Sequence, residues 1–309
     1  MKLAFLFAGQ GSQKAGMGRD LYEEYPAFRA AFDAAALDFD LKKVCFEDPD
    51  GVINQTQYTQ PCMVAFAAGV NAVLAENEIV PAYAAGLSLG EYSALHCAGV
   101  FTAGQAVELV AYRGAAMAKA AEGIESAMTA VLNLDREALE RCCAEAASLG
   151  VVKICNYNCP GQLVIGGEKA AVAKAGDLAK AAGARRLLPL RVSGPFHTPL
   201  MQPASEALAA RFETETFGRM SFPVLFNCLG DVKGEDDAIP ALLCRQVKES
   251  VYMEDTIRKL AALGVDTVVE IGPGRALSGF VAKTVGSTIT CYAVEDAASL
   301  RAALDALKK

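Results

Sequence analysis

Gly86-Leu87-Ser88-Leu89-Gly90 sets a serine between two glycines, after an apolar segment and before a helix-like run, Glu91-Tyr92-Ser93-Ala94-Leu95. Glycine, any residue, serine, any residue, glycine at a strand-to-helix turn is the nucleophile-elbow pattern. The glycines allow a turn too tight for side chains, and the turn lifts the hydroxyl clear of the sheet. The amide of the next residue then lies at a helix N-terminus, where negative charge is stabilised. A serine so placed can attack a carbonyl and form an acyl-enzyme. The same letters also describe a plain Gly/Ser turn with a serine N-cap, so the chemistry depends on a base.

The chain has two histidines, His96 and His197. His96 follows Ser88 on the same predicted helix, roughly 12 Å along its axis, and cannot reach it. If a histidine activates Ser88, that histidine is His197. The competing reading of His197 is a satisfied loop or core histidine.

The elements that must hold these groups alternate. A strand over 3–7 runs into Gly9-Gln10-Gly11-Ser12-Gln13. The third glycine of a dinucleotide fingerprint would fall on Lys14, and no Walker A sequence occurs, so nucleotide binding by these loops is excluded. Helices are predicted over 19–36, 58–74 and 103–121, with the serine turn between the last two. Strand-helix alternation predicts a mostly parallel sheet covered by helices on both faces. From 126 to 190 the order becomes strand, helix, strand, strand, helix, strand, the ferredoxin-like order. After His197 come a helix over 198–212 and strands over 223–226, 265–271 and 288–293. The expected fold is α/β: a large α/β-hydrolase-like domain at 1–123 and 193–309, with a small ferredoxin-like α+β domain inserted at 124–192.

Composition narrows the function classes. The 309 residues are 53% hydrophobic, enough for a sizeable core. The net charge of −7 and the lack of a basic stripe with interleaved aromatics exclude a nucleic-acid binder. The ten cysteines are scattered, several in apolar runs, without zinc-site spacing. They read as reduced core thiols, and no metal is expected. The apolar start Met1-Lys2-Leu3-Ala4-Phe5-Leu6-Phe7 is too short for a signal peptide, and the apolar stretch 62–75 is too short for a membrane span. A cytoplasmic protein without a membrane partner is expected.

Six motifs then occur in order: Phe7-Ala8-Gly9-Gln10-Gly11-Ser12-Gln13, Gly86-Leu87-Ser88-Leu89-Gly90-Glu91, Tyr112-Arg113-Gly114, Asn158-Cys159-Pro160-Gly161-Gln162, Phe196-His197 and Glu270-Ile271-Gly272-Pro273-Gly274. Together they closely resemble the malonyl-CoA:acyl-carrier-protein transacylases of bacterial fatty-acid synthesis, relatives of polyketide acyltransferase domains. The resemblance covers nearly the whole chain. It implies Ser88 as nucleophile, His197 as base, the backbone amides of Gln10 and Leu89 as oxyanion hole, and Arg113 as clamp for the malonyl carboxylate. It also implies substrate contacts at Asn158 and Phe196, and a His197 oriented by backbone carbonyls rather than a third acidic side chain. No cofactor is implied; malonyl-CoA is a substrate and acyl carrier protein a transient partner of a monomer. Arg185 and Arg186 are the candidate docking residues for that acidic partner. A ring at Phe196 would crowd a branched acyl group and favour malonyl over methylmalonyl.

Three positions depart from the family pattern. Leu87 stands where histidine is common, Ala8 where proline is common, and Ser250-Val251-Tyr252 replaces Pro-Val followed by Gln or Arg, which puts in doubt a side-chain role for Tyr252. The rival enzyme reading is a serine thioesterase of the α/β-hydrolase type. Against it, no HGGG-type loop is present and a long segment follows the histidine. An acyltransferase of a polyketide pathway is the nearer alternative.

Overall fold

The computed structural model describes residues 1–308 and divides into two compact units. The first comprises Met1–Gly114, Thr216–Phe226 and the chain from Arg258 onward; the second comprises Ala115–Glu215 and Asn227–Ile257.

In the first unit a parallel sheet carries its strands in the order Thr290–Val294, Thr267–Ile271, Leu3–Phe7, Tyr83–Gly86, Val224–Phe226. Leu3–Phe7 and Thr267–Ile271 are buried at every position. Parallel strands covered on both faces read as unbroken apolar runs, which is why the N-terminal Leu-Ala-Phe-Leu-Phe is a central strand. Phe5, Leu6 and Phe7 are fully buried, and each contributes about 1.5–3 kcal/mol by leaving water. The strand order reverses at Leu3–Phe7, and ligands of open α/β sheets bind beyond the carboxyl ends at such a switch point. Three loops gather there: the glycine loop after Phe7, the serine turn after Gly86, and Gly272-Pro273-Gly274 after Ile271.

The apolar stretch 62–75 belongs to the helix Thr56–Glu76, which is apolar nearly all round and mostly buried. It is long and apolar enough to cross a membrane, but 78% of its apolar window lies inside the fold. The helix predicted over 19–36 is two helices, Arg19–Glu24 and Pro26–Phe32. Tyr25 is extended (φ −114°, ψ 110°), as the residue before a proline must be to avoid the proline ring. Pro26 then starts the second helix, where its missing N–H costs nothing.

In the second unit an antiparallel sheet runs Arg186–Pro189, Ser126–Leu132, Gln162–Glu168, Val152–Cys159. In chain order these are the fourth, first, third and second strands, and with the helices Arg136–Ala146 and Lys169–Ala181 they form the expected ferredoxin-like arrangement. Val131, Leu139, Ile154, Leu163, Ile165 and Val172 lie in its core. A short further strand, Val251–Tyr252, adds in parallel to Val152–Cys159. That strand and His197 lie outside 124–192 but within the second compact unit.

Candidate active site

Ser88 occupies the turn between the strand Tyr83–Gly86 and the helix Gly90–Cys97, with φ +54°. A left-handed backbone costs a non-glycine residue roughly 1–3 kcal/mol and persists where the surroundings over-determine it. Here they do. The Leu87 amide donates to the Phe7 carbonyl (3.0 Å), and the Glu91 amide donates to the Ser88 carbonyl (3.0 Å). A Cβ at Gly86 would overlap the backbone of Gly90, and one at Gly90 the carbonyl of Phe7. Both glycines are therefore required by close approach, as the elbow pattern expects.

The glycine loop lies against this turn. A Cβ at Gly9 would stand 2.6 Å from the Leu87 carbonyl oxygen, so only glycine lets the loop come this near. The Gln10 side chain is tied down by its Nε2 donating to Thr56 Oγ1 (3.1 Å). Neither the Gln10 nor the Leu89 backbone amide has an acceptor among the described residues. Two unspent amides on adjoining loops are the donor type an oxyanion hole uses. Leu87 packs its side chain over Gly9. At Ala8 the amide donates to Ile271 (3.0 Å), a hydrogen bond that proline could not make.

Arg113, on the helix Ala103–Ala121, is fully buried. Its Nη1 donates to Gln60 Oε1 (2.7 Å), its Nη2 donates to Ser88 Oγ (3.2 Å), and its guanidinium stands 5.6 Å from the Tyr92 ring centre. Burial pulls its pKa below the usual arginine value, and Tyr92 and Glu91 oppose the shift. Arginine remains charged regardless. A buried cation beside a nucleophilic hydroxyl can bind an anionic group on the molecule being attacked.

His197 is 3% exposed and also left-handed, with φ +62°. Its Nδ1 donates to the Gln246 carbonyl (2.8 Å), and its amide donates to the Val247 carbonyl (3.1 Å). With the proton on Nδ1, the Nε2 lone pair is the basic one. Phe196 beside it is buried. Asn158 is buried at the irregular end of Val152–Cys159, and its Oδ1 has no partner among the described residues. Arg185 and Arg186 are exposed where the edge strand Arg186–Pro189 begins.

Ser88, Leu89, Gln10 and Arg113 thus come together in the first unit, while His197, Phe196, Asn158, Arg185 and Arg186 belong to the second. His96 is oriented by the Phe101 carbonyl (2.9 Å), and burial lowers its pKa. Among the described residues no group of three or more His, Cys, Asp or Glu side chains could hold a metal, and none of the ten cysteines is in a disulfide. Sequence reasoning missed Gln60 and Thr56; the backbone carbonyls that the resemblance implied around His197 are those of Gln246 and Val247. For Gln60 a signal existed: a glutamine, now seen to be 1% exposed, at the head of a mainly apolar helical run. Glu270, fully buried, accepts from the Leu277 and Ser278 amides (2.9 and 2.7 Å) and caps the helix Ala276–Val285.

Residues 4–303 match the acyl transferase domain. The malonyl CoA-acyl carrier protein transacylase of Bacillus subtilis is 41% identical over 100% of this chain and 98% of its own length. The crystal structure of MCAT from Streptococcus pneumoniae superposes with a TM-score of 0.93 at 45% identity, covering 99% of this chain and 100% of that one. A malonyl-transacylase solved in complex with its type II polyketide acyl-carrier protein superposes with a TM-score of 0.94 at 41% identity, covering 99% and 100%. The chain belongs to the malonyl CoA-acyl carrier protein transacylase family.

Proposed function

We propose that this protein moves a malonyl group from malonyl-CoA to the phosphopantetheine thiol of acyl carrier protein, supplying fatty-acid synthesis. The observation that carries the reading is Arg113 Nη2 standing 3.2 Å from Ser88 Oγ. It pairs a nucleophile with a buried cation suited to an acyl group that ends in a carboxylate. The names of the relatives support the donor and the acceptor.

In the first half-reaction, His197 Nε2 takes the Ser88 proton as Oγ attacks the thioester carbonyl. The Leu89 and Gln10 amides stabilise the tetrahedral oxyanion, each such donor contributing about 2.7–4 kcal/mol. The carbon–sulfur bond breaks, and the proton on His197 passes to the departing coenzyme A thiolate. Malonyl remains as an ester on Ser88 with its carboxylate on Arg113. In the second half, the carrier thiol gives its proton to His197 and attacks the ester. The Ser88 oxygen leaves and recovers that proton. The kinetics are ping-pong, and no metal or redox cofactor enters.

Phe196 limits the room beside the acyl α-carbon, a steric preference for malonyl over methylmalonyl of about 1–3 kcal/mol. Asn158 contacts substrate, and Arg185 and Arg186 dock the acidic carrier. Residues 124–192 form the inserted domain. The enzyme works as a cytoplasmic monomer away from membranes. Incubation with labelled malonyl-CoA, followed by peptide mass analysis, should place the label on the Ser88 peptide and nowhere in Ser88→Ala. An unlabelled Ser88 peptide overturns the mechanism, and free malonate as the main product in the presence of carrier protein would return the thioesterase reading.

A further inference from the structure

We infer that Ser250 is a positioning residue for the catalytic base, acting through the backbone carbonyls that orient His197; the inference rests on the base role proposed above. His197 is held by two adjacent main-chain oxygens, Gln246 at Nδ1 (2.8 Å) and Val247 at the amide (3.1 Å). Those residues end the helix Ile239–Gln246, where Val247 is the C-cap. Backbone carbonyls at a helix end have no side chain of their own to fix them. Their direction is set by how the next few residues are anchored.

Four residues after Gln246, the Ser250 hydroxyl donates to the Ile154 carbonyl (2.7 Å) in a site where Ser250 is 3% exposed. Ile154 adjoins the register shift between Ile154 and Asn156 in the strand Val152–Cys159. Immediately after Ser250 the chain joins the sheet, but only as the pairs Asn156 with Val251 and Tyr157 with Tyr252. Two residues of parallel pairing are too few to pin a segment alone. The Tyr252 ring adds a stacked contact with Tyr157 (centroids 5.0 Å apart), and Arg136 covers Tyr157 (4.4 Å) while pairing with Asp255 (2.7 Å). Tyr252 thus has a side-chain role, as an anchor. The Lys248 and Glu249 amides turn back on the Arg245 carbonyl (3.1 and 2.9 Å), and Lys248 Nζ reaches Gln202 at the exposed surface (2.7 Å); after these, the Ser250 hydrogen bond is the first buried side-chain tie from this segment to another element.

Without that tie the Gln246 carbonyl drifts from Nδ1. The proton then divides between the two ring nitrogens, and the imidazolium loses an acceptor, which lowers the pKa of the base. A purely structural serine would lower thermal stability and leave both properties alone.

The test is nitrogen NMR on protein carrying ¹⁵N-histidine, where two histidines make a simple spectrum. In wild type the neutral His197 ring should carry its proton on Nδ1. In Ser250→Ala both tautomers should appear, the acidic limb of kcat/KM should move to lower pH, and kcat should fall roughly tenfold with KM for malonyl-CoA unchanged. Ser250→Thr, which keeps the hydroxyl, should restore the wild-type tautomer and profile. If Ser250→Ala does not fold, Ser250→Cys, similar in shape with a far weaker donor, reads the same quantities. An unchanged tautomer and pH profile overturns the inference. The spectrum needs no substrate, so failure of the functional reading is separate: it shows as no malonyl ester on wild-type Ser88.

Discussion

The Arg113 guanidinium donates to the Ser88 hydroxyl across 3.2 Å, so the proposed nucleophile is engaged by a group with a second function proposed for it. Under the proposed roles, an incoming carboxylate would compete for the same Nη2. Its arrival would release the Ser88 oxygen lone pair that the cation draws on, at the moment an acyl group is present to be attacked. Substrate binding and nucleophile release would then be one event.

Removing that cation separates the substrates. Arg113→Ala should lower kcat/KM for malonyl transfer by about a thousandfold, the scale of losing two charge-assisted hydrogen bonds. Acetyl transfer should persist or rise. Arg113→Lys should recover little, because an ammonium cannot bind a carboxylate in the same planar two-point manner. Parallel assays with malonyl-CoA and acetyl-CoA decide it, and equal losses would remove the clamp role.

Gln60 holds the other end of the guanidinium, with its Oε1 2.7 Å from Nη1. Gln60→Leu keeps most of the volume but leaves a buried donor without its acceptor, at about 1–3 kcal/mol. We expect a lower melting temperature and a KM for malonyl-CoA raised about tenfold, with acetyl-CoA kinetics little altered. A uniform loss for both substrates would mean that Gln60 serves the core alone.

In the glycine loop, Gly9 is intolerant because of close approach. In Gly9→Ala the new methyl meets the Leu87 carbonyl at 2.6 Å, and the loop must retreat. The Gln10 amide retreats with it. We expect kcat to fall about a hundredfold, the scale of losing one oxyanion donor, with KM nearly constant. A rise in KM with kcat preserved would contradict the role of the loop.

Acid should expose the last helix. Asp296 caps Ala297–Leu307 through the Ser299 amide (2.8 Å) in a reciprocal capping box. Hydrogen bonds from the Ser299 side chain and backbone hold its pKa below the ordinary carboxylate value. A depressed carboxylate stabilises the fold above its unfolded pKa, and this contribution is lost as pH falls through the folded one. Asp296→Ala should therefore cost about 1 kcal/mol near neutral pH. The gap to wild type should close below the usual carboxylate range. Thermal melts of both proteins across pH measure it, and a gap constant down to strong acid would place the effect elsewhere.

Much of the arrangement around Ser88 was readable because it depends on residue types. Glycines that permit a close approach and a serine between them leave a pattern in the letters. The split of 19–36 was missed because apolar periodicity runs on through Pro26, while the extended Tyr25 before it obeys a local steric rule that periodicity does not weigh. Gln60 was hidden by its setting: a few polar side chains in a helix apolar nearly all round average away. Gln246 and Val247 act through carbonyl oxygens that every residue possesses, so no composition could have marked them. The short strand Val251–Tyr252 was invisible for a related reason, since two residues carry no alternation.

Thr56 and Gln60 sit one turn apart on the same buried helix, the first holding the Gln10 side chain and the second holding Arg113. Under the proposed roles, a single stiff rod separates the amide that receives the reacting oxygen from the guanidinium that receives the far carboxylate. That makes the helix a calliper. Its setting, rather than the shape of any pocket wall, would decide how many carbons a diacid may have between its two ends, and a one-residue slip in its first turn would retune the enzyme to a different chain length.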